Sequence, residues 1–180
     1  MIEITIPAYE LFNDVTGEFE SGPSRDITLE HSLLSISKWE SKWLNPFLSN
    51  VPKTDEEVID YIRCMTLNKG VPPEAYYNIP NDQYELINKY ITAPMTATTI
   101  SDPGGKPSRE ILTSELIYYY MISNNIPMEC EKWHINRLMT FIRVFGVKNN
   151  PGKKRPMADV MKSNAELNAA RKKKLNTKGW

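Results

Sequence analysis

The first apolar pattern along the chain has a period of two. Ile2, Ile4 and Ile6 alternate with Glu3 and Thr5, which predicts a half-buried strand, because successive strand side chains point to opposite faces. Pro7 ends it. Asn13-Asp14 with Gly17, and then Gly22-Pro23-Ser24, supply turn chemistry, and Ile27-Thr28-Leu29 reads as another short strand. The first 30 residues therefore predict a small β-hairpin or meander. Beyond them the period lengthens. Ile36, Trp39 and Trp43 recur at i, i+3 and i+7 and predict a helix over about 32–44, closed by Pro46. Thr54-Asp55-Glu56-Glu57 has the form of a capping box, with Thr54 at the N-cap and Glu57 at N3. It opens a helix to about 67 with Val58, Ile59, Ile62 and Met65 inward.

Gly70 and Pro72-Pro73 mark a loop, and Glu74–Tyr77 reads as a single turn. Asn81 is placed to cap a helix over 82–92 with Leu86, Ile87, Tyr90 and Ile91 inward. The Thr-rich run Met95–Ile100, the turn signal Asp102-Pro103-Gly104-Gly105 and the return Arg109–Leu112 predict an internal β-hairpin between two helices. Thr113 or Ser114 caps the next helix, which Asn124-Asn125 ends. Pro127 then opens a helix over 128–145, expected to be central, with Trp133, Leu138, Phe141, Ile142 and Phe145 on its apolar face and Gly146 at C′. These elements predict an α+β fold that is mainly helical: a bundle of about five helices, a small N-terminal β element and one internal hairpin.

Charge divides this chain in two. Lys plus Arg and Asp plus Glu are 22 each, a formal net charge of zero. Residues 1–147, however, hold 12 basic and 20 acidic side chains, and residues 148–180 hold 10 basic and 2 acidic ones. An acidic globular body at −8 is thus joined to a basic C-terminal linker and arm at +8. The linker is Asn149-Asn150-Pro151-Gly152 followed by Lys153-Lys154-Arg155-Pro156, and 157–175 has helix-forming composition with a thin apolar stripe. With 41% hydrophobic and 24% charged residues, the composition excludes collagen-like, disulfide-rich and largely disordered chains. No apolar run is long enough to span a membrane, and Met1-Ile2-Glu3-Ile4 lacks a secretory pattern. Cys64 and Cys130 are expected to be reduced.

The candidate chemistry is sparse. His31 and His134 are the only histidines, and they form no i, i+4 ligand pair. No HExxH, CxxC, GxSxG, P-loop or GxGxxG motif occurs. A zinc site from Cys64, Cys130, His31 and His134 lacks zinc-finger spacing, and Cys130 near His134 is the one thin candidate for a nucleophile. Thr96, Thr98 and Thr99 read as strand formers rather than phosphate ligands. The expectation is a chain without catalytic residues, metal, cofactor or small-molecule substrate.

The candidate contacts are with protein. Trp39, Trp43, Tyr118, Tyr119 and Trp133 fall on predicted helices, where aromatics are core or interface. Tyr118-Tyr119-Tyr120 cannot all face inward, since neighbouring helical residues are about 100° apart, so at least one is exposed or covered by another chain. Arg171, Lys172, Lys173 and Lys174 complete this set as cations that suit an acidic protein surface, and the acidic body of a second copy offers one. The same four with Lys153, Lys154 and Arg155 are the alternative, a phosphate-gripping arm for nucleic acid. Aromatics do not interleave with these cations, which favours protein.

Several segments together resemble a family of small tailed-bacteriophage morphogenesis and virion proteins. They include Leu29-Glu30-His31-Ser32-Leu33, Ser35-Ile36-Ser37-Lys38-Trp39-Glu40-Ser41-Lys42-Trp43 and Asp60-Tyr61-Ile62-Arg63-Cys64-Met65-Thr66. Met95-Thr96-Ala97-Thr98-Thr99, Ile126-Pro127-Met128-Glu129-Cys130-Glu131-Lys132-Trp133-His134 and the ending Leu167-Asn168-Ala169-Ala170-Arg171 with Leu175-Asn176-Thr177-Lys178-Gly179 extend the resemblance over nearly the whole chain. The resemblance implies a non-enzymatic role in the tail-assembly region, best matched by a tail assembly chaperone, with a permanent neck, tail or baseplate component as the rival. It implies phage structural or tail proteins as partners, self-association, and the host cytoplasm during assembly or the virion as location.

Overall fold

The alternation at the N-terminus folds as its period dictates. A computed structural model describes residues 1–13, 17–99, 110–149 and 157–175. Four strands open it: β1 (Ile2–Ile6), β2 (Tyr9–Asn13), β3 (Glu18–Gly22) and β4 (Arg25–Leu29). β1 pairs antiparallel with β4, and β2 with β3, so one hairpin is nested inside the other. Pro7, which has no N–H to give a ladder, lies between β1 and β2. Ile4 and Ile6 face inward with Ile27 and Leu29, while Glu3 and Thr5 are exposed. Thr5 Oγ1 donates to Asp26 Oδ1 across the pair at 2.6 Å. Gly22 stands opposite Tyr9, and a Cβ there would lie 2.2 Å from the tyrosine ring, so only glycine lets that ring cross the strand.

Helix α1 (Leu33–Trp43) starts at a Ser32–Ser35 capping box, and α2 (Asp55–Met65) at the expected Thr54–Glu57 box. A 3₁₀ helix, Pro73–Asn78, and α3 (Asn81–Thr92) follow. Asn81 is the first helical residue of α3 and not its cap; Pro80 occupies the cap position without a side-chain bond. α4 (Ser114–Ser123) is capped by Thr113, whose Oγ1 accepts from Leu116 N–H at 3.4 Å.

Four further expectations are corrected. Met95–Thr99 and Glu110–Leu112 are not strands, and the rest of the expected internal hairpin lies outside the described residues. The helix expected over 128–145 is two elements, a 3₁₀ helix Met128–Lys132 and α5 (Ile135–Asn149). Trp133 between them is extended at ψ 155°, because His134 forms an antiparallel bridge with Ser32 and Ile135 N–H donates to His31 O at 3.0 Å. A continuous helix would consume those groups within itself. α5 also runs past Gly146, which is helix interior and not a C′ stop. Finally, the central helix is α1, which packs against α2, α4 and the Met128–Lys132 turn.

The core gathers Ile6, Ile27 and Leu29 from the strands, Leu33, Ile36 and Trp39 from α1, Ile62 and Met65 from α2, and Ile117 and Met121 from α4, each at most 1% exposed. Each such side chain contributes about 1.5–3 kcal/mol by leaving water. The chain divides into two compact units, Met1–Phe145 and Gly146–Trp180. The second contains α6 (Met157–Leu175), the helix expected for the arm.

Candidate interaction surface

The two histidines that sequence spacing kept apart meet inside the body. His31, at the β4–α1 junction, and His134, before α5, are 3% and 7% exposed, and their rings pack edge to face at 4.9 Å. His31 Nδ1 bonds the Tyr61 hydroxyl of α2, which also lies 3.3 Å from Ser35 Oγ. The Tyr90 hydroxyl of α3 accepts from His31 N–H at 3.3 Å, and His134 Nε2 lies 3.0 Å from the Tyr90 carbonyl. Burial, with His134 alongside, lowers the His31 pKa to about 3. Burial also lowers that of His134. The pair is neutral at pH 7, and its polar atoms hold four segments together.

Two carboxylates on helices act in the same way. Glu40 of α1, 7% exposed, accepts the Phe47 N–H and the Ser114 N–H, both at 2.7 Å. Ser114 is the first residue of α4, so an anion sits where the helix dipole favours one. Asp60 of α2 accepts from Lys42 Nζ at 2.6 Å, Trp43 Nε1 at 2.9 Å and Arg63 Nη1 at 3.3 Å. Burial alone would raise its pKa, but the Lys42 and Trp43 hydrogen bonds and the two cations outweigh that and hold it below the ordinary carboxylate value.

These bonds decide what the aromatic candidates do. Trp39 is a core residue rather than a contact residue: it is 1% exposed and its Nε1 donates to Glu57 O at 2.9 Å. Trp43 is half-buried on Asp60. Trp133 is half-buried, with the Arg137 guanidinium 4.3 Å over its ring and Phe141 at 5.5 Å. Tyr118 is half-buried and donates to Glu131 at 2.9 Å, and burial with that carboxylate pushes its hydroxyl up to about 12. Tyr119 is the member of the triplet left in solvent, 61% exposed, and Ile122 one turn on is 66% exposed. Of the arm cations, Arg171, Lys172 and Lys174 are exposed on α6. The side chain of Lys173, and Lys153, Lys154 and Arg155, lie outside the described residues.

An open hollow of about 410 Å³ is lined by Lys38, Lys42, Asp60, Arg63, Cys64 and Tyr76, among others. Burial, then the Asp60 charge, push the Cys64 thiol up to about 11, so at neutral pH it is a protonated thiol and a poor nucleophile. Burial raises Cys130 as well. Both cysteines are free. Among the described residues no cluster of three or more His, Cys, Asp or Glu is placed to hold a metal ion. None of the described helices is long and apolar enough to cross a membrane.

The aromatic pattern found Tyr119 but not Ile122, whose exposure beside it was hidden by the all-round apolar sequence of α4. Glu40 and Asp60 carried no sequence signal, because a carboxylate on a helix reads as a solvated residue until its donors are known. No family model, curated protein or solved structure matches this chain.

Proposed function

We propose that this chain is a non-enzymatic tailed-phage morphogenesis protein that acts through protein–protein contacts, with a tail assembly chaperone as the best-fitting role. The phage assignment rests on the segments from Leu29-Glu30-His31-Ser32-Leu33 to Leu175-Asn176-Thr177-Lys178-Gly179 that resemble that family. The observation that carries the contact role is the pair Tyr119 and Ile122, two large apolar side chains held in solvent on one face of α4. Side chains of this kind concentrate binding energy once a partner excludes water. The buried polar groups support the same reading, because His31, His134, Glu40 and Asp60 are each engaged within the fold. Partners are other phage tail or structural proteins and the chain itself, met in the host cytoplasm during assembly.

Mass spectrometry of purified virions tests the role. A chaperone is absent or present in traces while deletion of its gene abolishes tail formation. Many copies per particle would replace the chaperone with a permanent neck, tail or baseplate component. The exposed Arg171, Lys172 and Lys174 favour one second reading, a nucleic-acid-binding phage protein. Salt-titrated DNA binding separates the two, since a phosphate-gripping arm loses affinity steeply with salt. Tight DNA binding that disappears when 148–180 are removed, with assembly intact, would favour this second reading.

A further inference from the structure

We propose that the exposed face of α4 is the docking site for helix α6 of a second copy of this chain. The inference rests on the self-associating part of the function proposed above and names its two surfaces. On α4, Ser114, Ile117 and Met121 are buried, while Glu115, Tyr119 and Ile122 at i, i+4 and i+7 form an outward row. α4 contains no basic residue, so nothing on the helix itself neutralises that row. On α6, Leu167, Arg171 and Lys174 are also spaced i, i+4 and i+7, and all three are exposed.

Run antiparallel, the two rows coincide at both ends, and the middle pair is offset by one residue, about 1.5 Å along the axis. Leu167 meets Ile122, the Arg171 guanidinium lies over the Tyr119 ring, and Lys174 reaches Glu115. Each row spans seven helical steps, about 10.5 Å, and the long Arg171 side chain covers the offset at the middle pair, so neither helix needs distortion. The chemistry is complementary at each step: apolar on apolar, a guanidinium on an aromatic face, an ammonium on a carboxylate.

Both rows carry large exposed side chains: Tyr119 is 61%, Ile122 66% and Leu167 53% exposed. A second copy supplies each with its complement. The wider charge agrees, for residues 1–147 carry −8 and residues 148–180 carry +8, so a body attracts a neighbour's arm and repels another body. α6 also has little apolar surface of its own, and a helix of that kind gains stability mainly by packing. Reciprocal exchange of arms between two copies closes the contact, whereas one-way exchange propagates it.

Sedimentation velocity on the nuclease-treated full chain tests the pairing, at low and at physiological salt. The wild type should self-associate more tightly at low salt. Glu115→Arg, Tyr119→Ala and the pair Arg171→Glu with Lys174→Glu should each weaken association by about tenfold or more, with unchanged circular dichroism, since all four positions are exposed. A chain carrying Glu115→Arg together with both arm reversals should regain association. A photo-crosslinker at position 119 should capture 157–175 of an isotopically distinct copy. A monomeric wild type at its highest soluble concentration, association indifferent to these variants, or crosslinks confined to one copy would each overturn the proposal. So would association that depends on nucleic acid. These readouts use purified protein alone, so their failure leaves virion composition, and with it the phage role, to be judged separately.

Discussion

Tyr61 is the residue on which the buried histidines depend. Its hydroxyl joins His31 Nδ1 to Ser35 Oγ at a site sealed from water, and Tyr61→Phe leaves both without that partner. A loss of about 1–3 kcal/mol in urea unfolding is expected, the usual cost of stranding a buried polar group. His31 also sets a pH dependence. Above the ordinary histidine value of 6.5, folded and unfolded chains both hold it neutral and its contribution is complete. As pH falls below 6.5 the unfolded chain takes the proton first, while the folded chain resists until about 3, so stability declines through that window. His134 is lowered by burial in the same sense. The urea midpoint should therefore fall already between about pH 6.5 and 5, above the carboxylate range; a flat profile there would contradict the neutral buried pair. None of this was legible in the sequence. His31 and His134 carry no spacing signal because their proximity is produced by β4, α3 and α5 converging.

At the scale of elements, two carboxylates bind the helices to one another, and each makes a different expectation. Glu40 holds the Phe47 and Ser114 amides, one on each oxygen. Glu40→Gln keeps the shape but turns one acceptor into an NH₂ facing a backbone N–H. A cost of about 2–3 kcal/mol is expected, read as a lower thermal or urea midpoint. Asp60 joins α2 to α1 through two donors, Lys42 and Trp43, with Arg63 of its own helix as a third, and its side chain is 9% exposed, whereas that of Lys42 is 55% exposed. Asp60→Asn should cost about 2 kcal/mol and Lys42→Ala under about 1 kcal/mol. Equal effects would mean that the ion pair, and not the buried hub, holds the helices. The element boundaries divide on the same physics. The Thr54–Glu57 box and the alternation of β1 were legible because both are local. The break at Trp133-His134 was not, since it is imposed by the bridge from His134 to Ser32, a tertiary contact that overrides a well-patterned helix. Trp39 and Trp43 lie three and seven residues from Ile36 on one stripe, and the pattern alone could not separate the core indole from the one turned toward Asp60.

At the scale of the molecule, the chain forms two compact units, a body and an arm. The buried residues of α5 are Ile135, Leu138 and Ile142, all before the boundary between the two units at Phe145 and Gly146. Removing 150–180 should shift the unfolding free energy of the body by no more than about 0.5 kcal/mol, as measured by urea titration of the truncated chain against the full one. A larger loss would place part of the body's support in the arm. The charge asymmetry of these units was readable from composition, whereas the exposed row on α4 was legible only at Tyr119, because burial is a property of the assembled fold. The bridge from Ser32 to His134 has one more consequence, in time and not in space. It joins positions about a hundred residues apart, and contacts of such separation form late. During synthesis the amino-terminal strands and α1 emerge well before His134 and Ile135, so the bridge to Ser32 and the bond to the His31 carbonyl close only after α3 and α4 have been made. A messenger truncated before that point yields a chain that lacks this closure and is prone to aggregation.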